Sequence, residues 1–168
     1  MIIKTYKMSS LTNFEKVKEF NTAFDMVRSC EPNRTIFDTD PNTVDLRIKL
    51  IREEFEEFVE ACKTKDFGEA RDAIADMLYV VYGAADAFGI QADTDFNDVH
   101  DSNMSKLCSS QEEAEATVHN YEQKFNRGES PYDSPYYYKL ENKDKWVVKN
   151  RSTGKALKSI NYHAVNFS

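Results

Sequence analysis

Between residues 12 and 29, Phe14, Val17, Phe20, Phe24 and Val27 recur at steps of three and four among polar residues, the spacing of one amphipathic helix face. Glu31-Pro32-Asn33 closes that helix. After a polar stretch to Pro41-Asn42, Val44, Ile48, Ile51, Phe55, Phe58 and Cys62 step by four and three without a miss, which predicts a second helix from the strongest periodicity in the chain. A third helix follows Gly68 and runs to about Phe88. From Ala73 to Ala85 it is apolar on almost every side, which predicts burial all round. Gly89 suits its C-terminal cap, Asp93 or Thr94 opens a fourth helix carrying Phe96, Val99, Met104 and Leu107, and Ser110-x-x-Glu113 opens a fifth as a capping box. Ala114, Val118, Tyr121 and Phe125 form its inner face and Gly128 ends it. Residues 130–135 then read as a linker, and 136–140, 146–150 and 155–158 as three short strands. The expected fold is mostly α, an antiparallel bundle of about five helices, with a helical domain over 1–129 and a linker plus small β appendage over 130–168.

Composition narrows the function. The 168 residues carry a net charge of −7, divided as −12 over the first 138 and +5 over the rest. A chain of this length buries roughly 70% of its unfolded surface and needs no disulfide or metal merely to fold. An acidic body argues against a nucleic-acid surface, which is driven by cations displacing phosphate counterions, whereas a small polyanion chelated to a divalent cation is compatible with it. The longest apolar run, Met77 to Ala85, falls far short of the roughly 20 residues a bilayer requires, so no membrane span is expected. Lys4 and Lys7 stand before no apolar core of the kind a secretory signal has, which places the protein in the cytoplasm by expectation. Cys30, Cys62 and Cys108, an odd number at unrelated spacings, read as reduced thiols used for packing.

The candidate chemistry lies in carboxylates. The run Glu53-Glu54-Phe55-Glu56-Glu57-Phe58-Val59-Glu60 holds five acids in eight residues. Glu56 and Glu60 point away from the apolar stripe and read as solvated. Glu54 and Glu57 lie on a second line, Leu50, Glu54, Glu57, Ala61, where two carboxylates interrupt a packing surface. Asp76 sits in the helix expected to be buried, with Asp72 one turn before it. A buried carboxylate needs a partner. Arg71, Lys63 or Lys65 supplies one by an ordinary ion pair; alternatively Mg²⁺ or Mn²⁺ takes two acids from each of two neighbouring helices. No Cys/His set has zinc spacing. On the fourth helix His100, Asn103 and Lys106 recur every three residues, and an amide and an ammonium one turn apart suit phosphate oxygens.

Three segments carry a resemblance: Leu50-Ile51-Arg52-Glu53-Glu54-Phe55-Glu56-Glu57, then Asp72-Ala73-Ile74-Ala75-Asp76-Met77-Leu78-Tyr79, then Ser102-Asn103-Met104-Ser105-Lys106. In this order they resemble the all-α nucleoside triphosphate pyrophosphohydrolases, the superfamily of MazG, the dimeric dUTPases and dCTPases, and phosphoribosyl-ATP pyrophosphohydrolase. Its E-E-x-x-E half is matched by Glu53-Glu54-x-x-Glu57. Its E-x-x-D half is not, since Ala73 stands three before Asp76 and the acid is Asp72, four before. The tail around Trp146-Val147-Val148 and Thr153-Gly154-Lys155 resembles the β appendage of the phosphoribosyl-ATP-pyrophosphohydrolase-like members. The resemblance implies a hydrolase that splits a nucleoside triphosphate into a monophosphate and pyrophosphate. Glu54, Glu57, Asp72 and Asp76 are then expected to hold Mg²⁺, with Mn²⁺ as a substitute. Glu53 accepts a proton from water, and Asn103 and Lys106 hold phosphates, Lys106 also stabilising the leaving charge. The second apolar stripe and the resemblance both point to a homodimer or larger oligomer. Asn21, Phe24, Tyr79 and Tyr82 are candidates for the base pocket, and dUTP or dCTP is expected by analogy, in nucleotide-pool cleansing. The alternatives are phosphoribosyl-ATP as substrate and a non-catalytic, metal-binding interaction module, the latter favoured by Ala73.

Overall fold

The structure is a computed structural model that describes residues 11–167. The reading of the N-terminus as no secretory signal falls on residues 1–10 and lies outside the described residues. In order the elements are α1 (Asn13–Ala23), α2 (Ile36–Thr39), α3 (Pro41–Thr64), α4 (Phe67–Phe88), α5 (Ala92–Met104), α6 (Gln111–Asn126), β1 (Pro135–Lys139) and β2 (Trp146–Asn150). The mostly helical class with a small antiparallel C-terminal sheet is as expected. The chain forms two compact units, one up to Asp95 and one from Phe96.

The first unit is built on an αα-hairpin. Asp40 caps α3 by accepting from the Thr43 amide, Pro41 opens it, and Lys65 in the left-handed region closes it. Asp66 then caps α4 by accepting from the Gly68 and Glu69 amides, so the two long helices are joined by two residues and pack along each other. The face that α3 buries is Thr43, Arg47 and Ala61, with Leu50 and Glu54 half-buried. This is the line through the carboxylates. The stronger apolar stripe is only partly covered, with Val44, Ile51 and Phe58 half-buried and Ile48, Phe55 and Cys62 exposed.

α4 is likewise covered on part of its circumference only. Ala73, Gly83 and Ala87 are buried where small side chains let helices approach, while Ile74, Leu78, Tyr79 and Val81 are exposed, and so is Asp76. The expected burial of α4 all round, and of Asp76 with it, does not hold within one chain. α1 and α3 together cover less than the full helix, and apolar composition does not say what covers the rest.

α1 is shorter than its periodicity predicts. Thr12 caps it in a reciprocal box with Glu15, but the chain leaves the helix at Phe24 and turns through Asp25 at φ 50°. Phe24 and Val27 are consequently exposed. Residues 29–33 are held against the end of α4, Ser29 N–H donating to Asp86 O and Asn33 N–H to Phe88 O. Gly89 belongs to the same junction: it adopts φ 73°, and a Cβ there would stand 2.0 Å from the Glu31 carbonyl oxygen. The polar stretch before Pro41 contains the short α2, whose Ile36 is buried.

In the second unit Ser110 caps α6 by accepting from the Glu113 amide, and the Glu113 carboxylate reaches back to the Ser109 amide. The core is Cys108, Ala114, Val148 and Leu157. β1 and β2 pair antiparallel with Tyr137 opposite Val148, and both pack on α6. The third expected strand is a single bridge of Ala156 to Lys149. Phe125, expected inside, is exposed. All three cysteines are free, but only Cys108 packs; Cys30 and Cys62 are exposed, correcting their reading as packing residues. No helix among the described residues is long and apolar enough to cross a membrane.

Candidate active site

The α3–α4 hairpin sets Glu53, Glu54 and Glu57 on one helix against Asp72 and Asp76 on the next. Glu54 is half-buried on the packed face, and the other four are exposed. Burial pushes the Glu54 carboxyl above its ordinary range first, and the negative charges of Glu57, Asp76, Glu53 and Asp72 push it further in the same direction. All five candidate acids of this hairpin therefore share one electrostatic neighbourhood. Among the described residues no ion pair reaches Glu54, Glu57, Asp72 or Asp76. The ion-pair explanation offered by Arg71, Lys63 or Lys65 is thus not what the structure shows; Lys63 pairs with Glu60. Glu53 has Lys49 at 3.7 Å, one turn away on the surface.

Hard carboxylate oxygens without a cationic partner, gathered around a Glu54 whose ionised form is penalised, are the donor chemistry a divalent cation of the Mg²⁺ type takes. As the side chains stand, no three His, Cys, Asp or Glu among the described residues converge closely enough to hold a metal ion. The donor set fits such an ion, and ligation requires the side chains to turn toward one another.

Asn103 lies in the last turn of α5 and Lys106 in the turn after it, not on the helix as the three-residue spacing predicts. The two are nonetheless joined, Lys106 Nζ donating to Asn103 Oδ1 at 2.7 Å. His100 is exposed.

The suggested base-pocket residues are placed unequally. Tyr79 and Tyr82 line a cavity of about 220 Å³ between α1 and α4, with Asn13, Lys16, Val17, Ala75 and Leu78. Phe24 is exposed and stacks on Phe20. Asn21 is buried and spends its amide on structure, Nδ2 donating to Asp86 Oδ2 at 2.8 Å. Arg28 Nε donates to the same oxygen at 2.9 Å, and the buried Arg47 guanidinium lies in the field of Asp86. Sequence reasoning missed this cluster because its members are scattered from residue 21 to 86.

It also missed Glu69, for which a signal existed. Glu69-Ala70-Arg71-Asp72 is itself an E-x-x-D, one turn before the register centred on Asp76. Glu69 lines a cavity of about 320 Å³ together with Glu57, Glu60, Ala61, Thr64 and Asp66.

Comparison with known proteins bears on this hairpin directly. A model of the family described as phosphoribosyl-ATP pyrophosphohydrolase matches residues 17–103, a span that holds all five acids and ends at Asn103. The chain is also 44% identical, over 82 residues, to an uncharacterized protein of Acanthamoeba polyphaga mimivirus; the aligned part is 49% of this chain and 33% of that protein. The chain thus spans about a third of the curated relative it matches. With over half of its residues inside the family match, the chain belongs to the phosphoribosyl-ATP pyrophosphohydrolase family, within the MazG-like all-α nucleoside triphosphate pyrophosphohydrolase superfamily.

Proposed function

We propose that the protein is a divalent-metal-dependent pyrophosphohydrolase that adds water across the α–β anhydride of a nucleoside triphosphate, releasing a monophosphate and pyrophosphate. The observation that carries the reading is the set of mutually repelling, unpartnered carboxylates on the α3–α4 hairpin of a chain in this family. Glu54, Glu57, Asp72 and Asp76 hold Mg²⁺, with Mn²⁺ able to substitute. When bound, the ion would supply charge neutralisation and would acidify water. Glu53 would accept a proton from the attacking water. Asn103 and Lys106 bind phosphate oxygens, and Lys106 stabilises the charge on departing pyrophosphate. The working form is a homodimer or larger, since Phe55 and Leu78 are 53% and 54% exposed in one chain. Three free thiols suit a reducing, cytoplasmic compartment.

The substrate is a deoxynucleotide, dUTP or dCTP, and the role is cleansing of the nucleotide pool. Phosphoribosyl-ATP is the second reading, favoured by the description of the matching family. One assay separates them: pyrophosphate and orthophosphate release from dNTPs, NTPs and phosphoribosyl-ATP with Mg²⁺ or Mn²⁺, each repeated with EDTA. Chelator-sensitive pyrophosphate from dUTP or dCTP is expected, with Glu57→Gln and Asp76→Asn inactive but folded. An active Asp76→Asn protein would sink the metal assignment, and release only from phosphoribosyl-ATP would replace the substrate.

A further inference from the structure

We propose that the C-terminal segment 155–163 completes the phosphate-binding cluster of Asn103 and Lys106 by adding a second ammonium, Lys158, so that the polyphosphate of the substrate is held by two lysines. The inference rests on the pyrophosphohydrolase reading and concerns residues beyond the family match, which ends at Asn103.

The segment has neither helix nor paired strand beyond the bridge at Ala156, yet it is fixed along its length. The Leu157 amide donates to Val148 O and its side chain is buried in the core of the second unit. The Lys158 amide donates to Tyr121 Oη at 3.2 Å and the Ile160 amide to Thr117 Oγ1 at 3.2 Å, both on α6. Ser159, buried, is hydrogen-bonded to Glu113. Beyond it the chain is tied to the end of α5: Ser102 Oγ donates to His163 O at 2.9 Å, and the His163 amide donates to Ser105 Oγ at 3.2 Å. An irregular stretch whose backbone is satisfied by side chains of two helices is held for what it carries.

What it carries is placed beside Lys106. Lys158 Nζ stands 4.2 Å from the centre of the Tyr162 ring, and the Tyr162 hydroxyl is 3.3 Å from Ser102 Oγ. The Tyr162 phenol is drawn below its ordinary range first by Ser102, then by the positive charges of Lys158 and Lys106, so both ammoniums act on the field at one hydroxyl. Among the described residues neither lysine has a carboxylate partner. The ring holds the Lys158 ammonium in place, and with one donor engaged by the Tyr162 hydroxyl the ammonium keeps others for a ligand. Lys106 uses one donor on Asn103 Oδ1, which leaves the Asn103 amide nitrogen free to donate outward. The result is a cluster of donors and positive charge whose two lysines make no ion pair among the described residues, complementary to the oxygens of a phosphate chain.

The test is binding of inorganic tripolyphosphate and of a dNTP, each with Mg²⁺, to the full chain by titration calorimetry. Lys158→Gln is expected to weaken both about tenfold, as Lys106→Gln does, because a charge-assisted contact is lost. Lys158→Arg retains binding within about twofold by the same charge argument, and Lys155→Gln, whose ammonium stands over Tyr132 instead, leaves it unchanged. Lys158→Gln that binds both probes as tightly as wild type overturns the inference, whatever Lys106→Gln does, and leaves the pyrophosphohydrolase reading standing. A wild-type chain that binds neither probe and hydrolyses no nucleotide overturns that reading and the inference with it.

Discussion

Arg47 and Gly83 are fitted to each other across the α3–α4 contact: a Cβ at residue 83 would stand 2.9 Å from Arg47 Nη1. Arg47 is 5% exposed, so the guanidinium has neighbours on nearly every side and little room to give way. In a free helix Gly→Ala gains about 1 kcal/mol. Here overpacking of about 1–3 kcal/mol outweighs it, and Gly83→Ala is expected to lower Tm. In an Arg47→Ala background the same change is expected to raise Tm, and a double-mutant cycle in urea reads the coupling. Additive effects would show that the two residues are not in contact in solution.

Asp86 ties three elements of the first unit together, since Asn21 from α1 and Arg28 from the following loop share its Oδ2 and Arg47 from α3 lies in its field. It is 2% exposed, and without its charge two guanidinium groups lose their compensation. Asp86→Asn is expected to cost about 2 kcal/mol in equilibrium unfolding, while Asp38→Asn, exposed on the short α2, costs nothing measurable.

These two features mark where sequence reading stops. The αα-hairpin was legible from its periodicity and from Pro41, Gly68 and Gly89, because such start and stop signals act within a few residues, whereas the Asp40 and Asp66 caps emerged only in the structure. The strands at 136–140 and 146–150 were legible for the same local reason. The side of α3 that packs was not. Val44, Ile48, Ile51, Phe55, Phe58 and Cys62 are apolar at helical spacing whether α4 or another chain covers them, and the structure turns the weaker line through Arg47, Leu50 and Glu54 inward. The carboxylates could be named because E-E-x-x-E is contiguous. Asn21, Arg28, Arg47 and Asp86 could not, because only folding brings them together.

Glu54 makes stability depend on pH with a definite sign. Its carboxyl sits above the ordinary glutamate value of 4.5 through burial and through its acidic neighbours. A carboxyl raised in the folded state binds its proton more tightly folded than unfolded. Its stabilising contribution is therefore complete below 4.5 and is lost as pH rises through the raised value. Glu54→Gln is expected to match wild type in Tm near about pH 4 and to exceed it at about pH 8 without metal. Added Mg²⁺ is expected to raise the wild-type Tm at about pH 8 and to raise that of Asp76→Asn less. A variant less stable than wild type at about pH 8 would show that the cluster is not under repulsion.

Two registers compete for the second half of the acidic motif. Asp72 and Asp76 share the field of Glu54, whereas Glu69 with Asp72 makes the literal E-x-x-D and Glu69 shares a cavity with Glu57. If Asp72 and Asp76 ligate metal, Asp72→Asn and Asp76→Asn each lower kcat about a hundredfold or more and Glu69→Gln changes it little. An inactive Glu69→Gln enzyme beside an active Asp76→Asn enzyme would move the site one turn toward the start of α4.

The uncovered stripe of α3 and the outer side of α4 decide the state of assembly. Phe55, Ile48, Leu78 and Val81 are each about half exposed in one chain, and together they leave long apolar faces on the two best-packed helices. Scattered exposed apolar side chains need no explanation, but continuous stripes on neighbouring helices do. Wild type is expected to elute and scatter light as a dimer or larger at micromolar concentration. Leu78→Asp places a charge in that face and is expected to shift the mass to a monomer, at a dissociation constant raised about a hundredfold or more. Glu57→Gln, which removes a charge from the acid cluster and none of the apolar surface, is expected to stay assembled. A monomeric wild type at about 100 μM would mean that these faces are covered by some other protein, because association driven by burial of this kind persists at such concentrations.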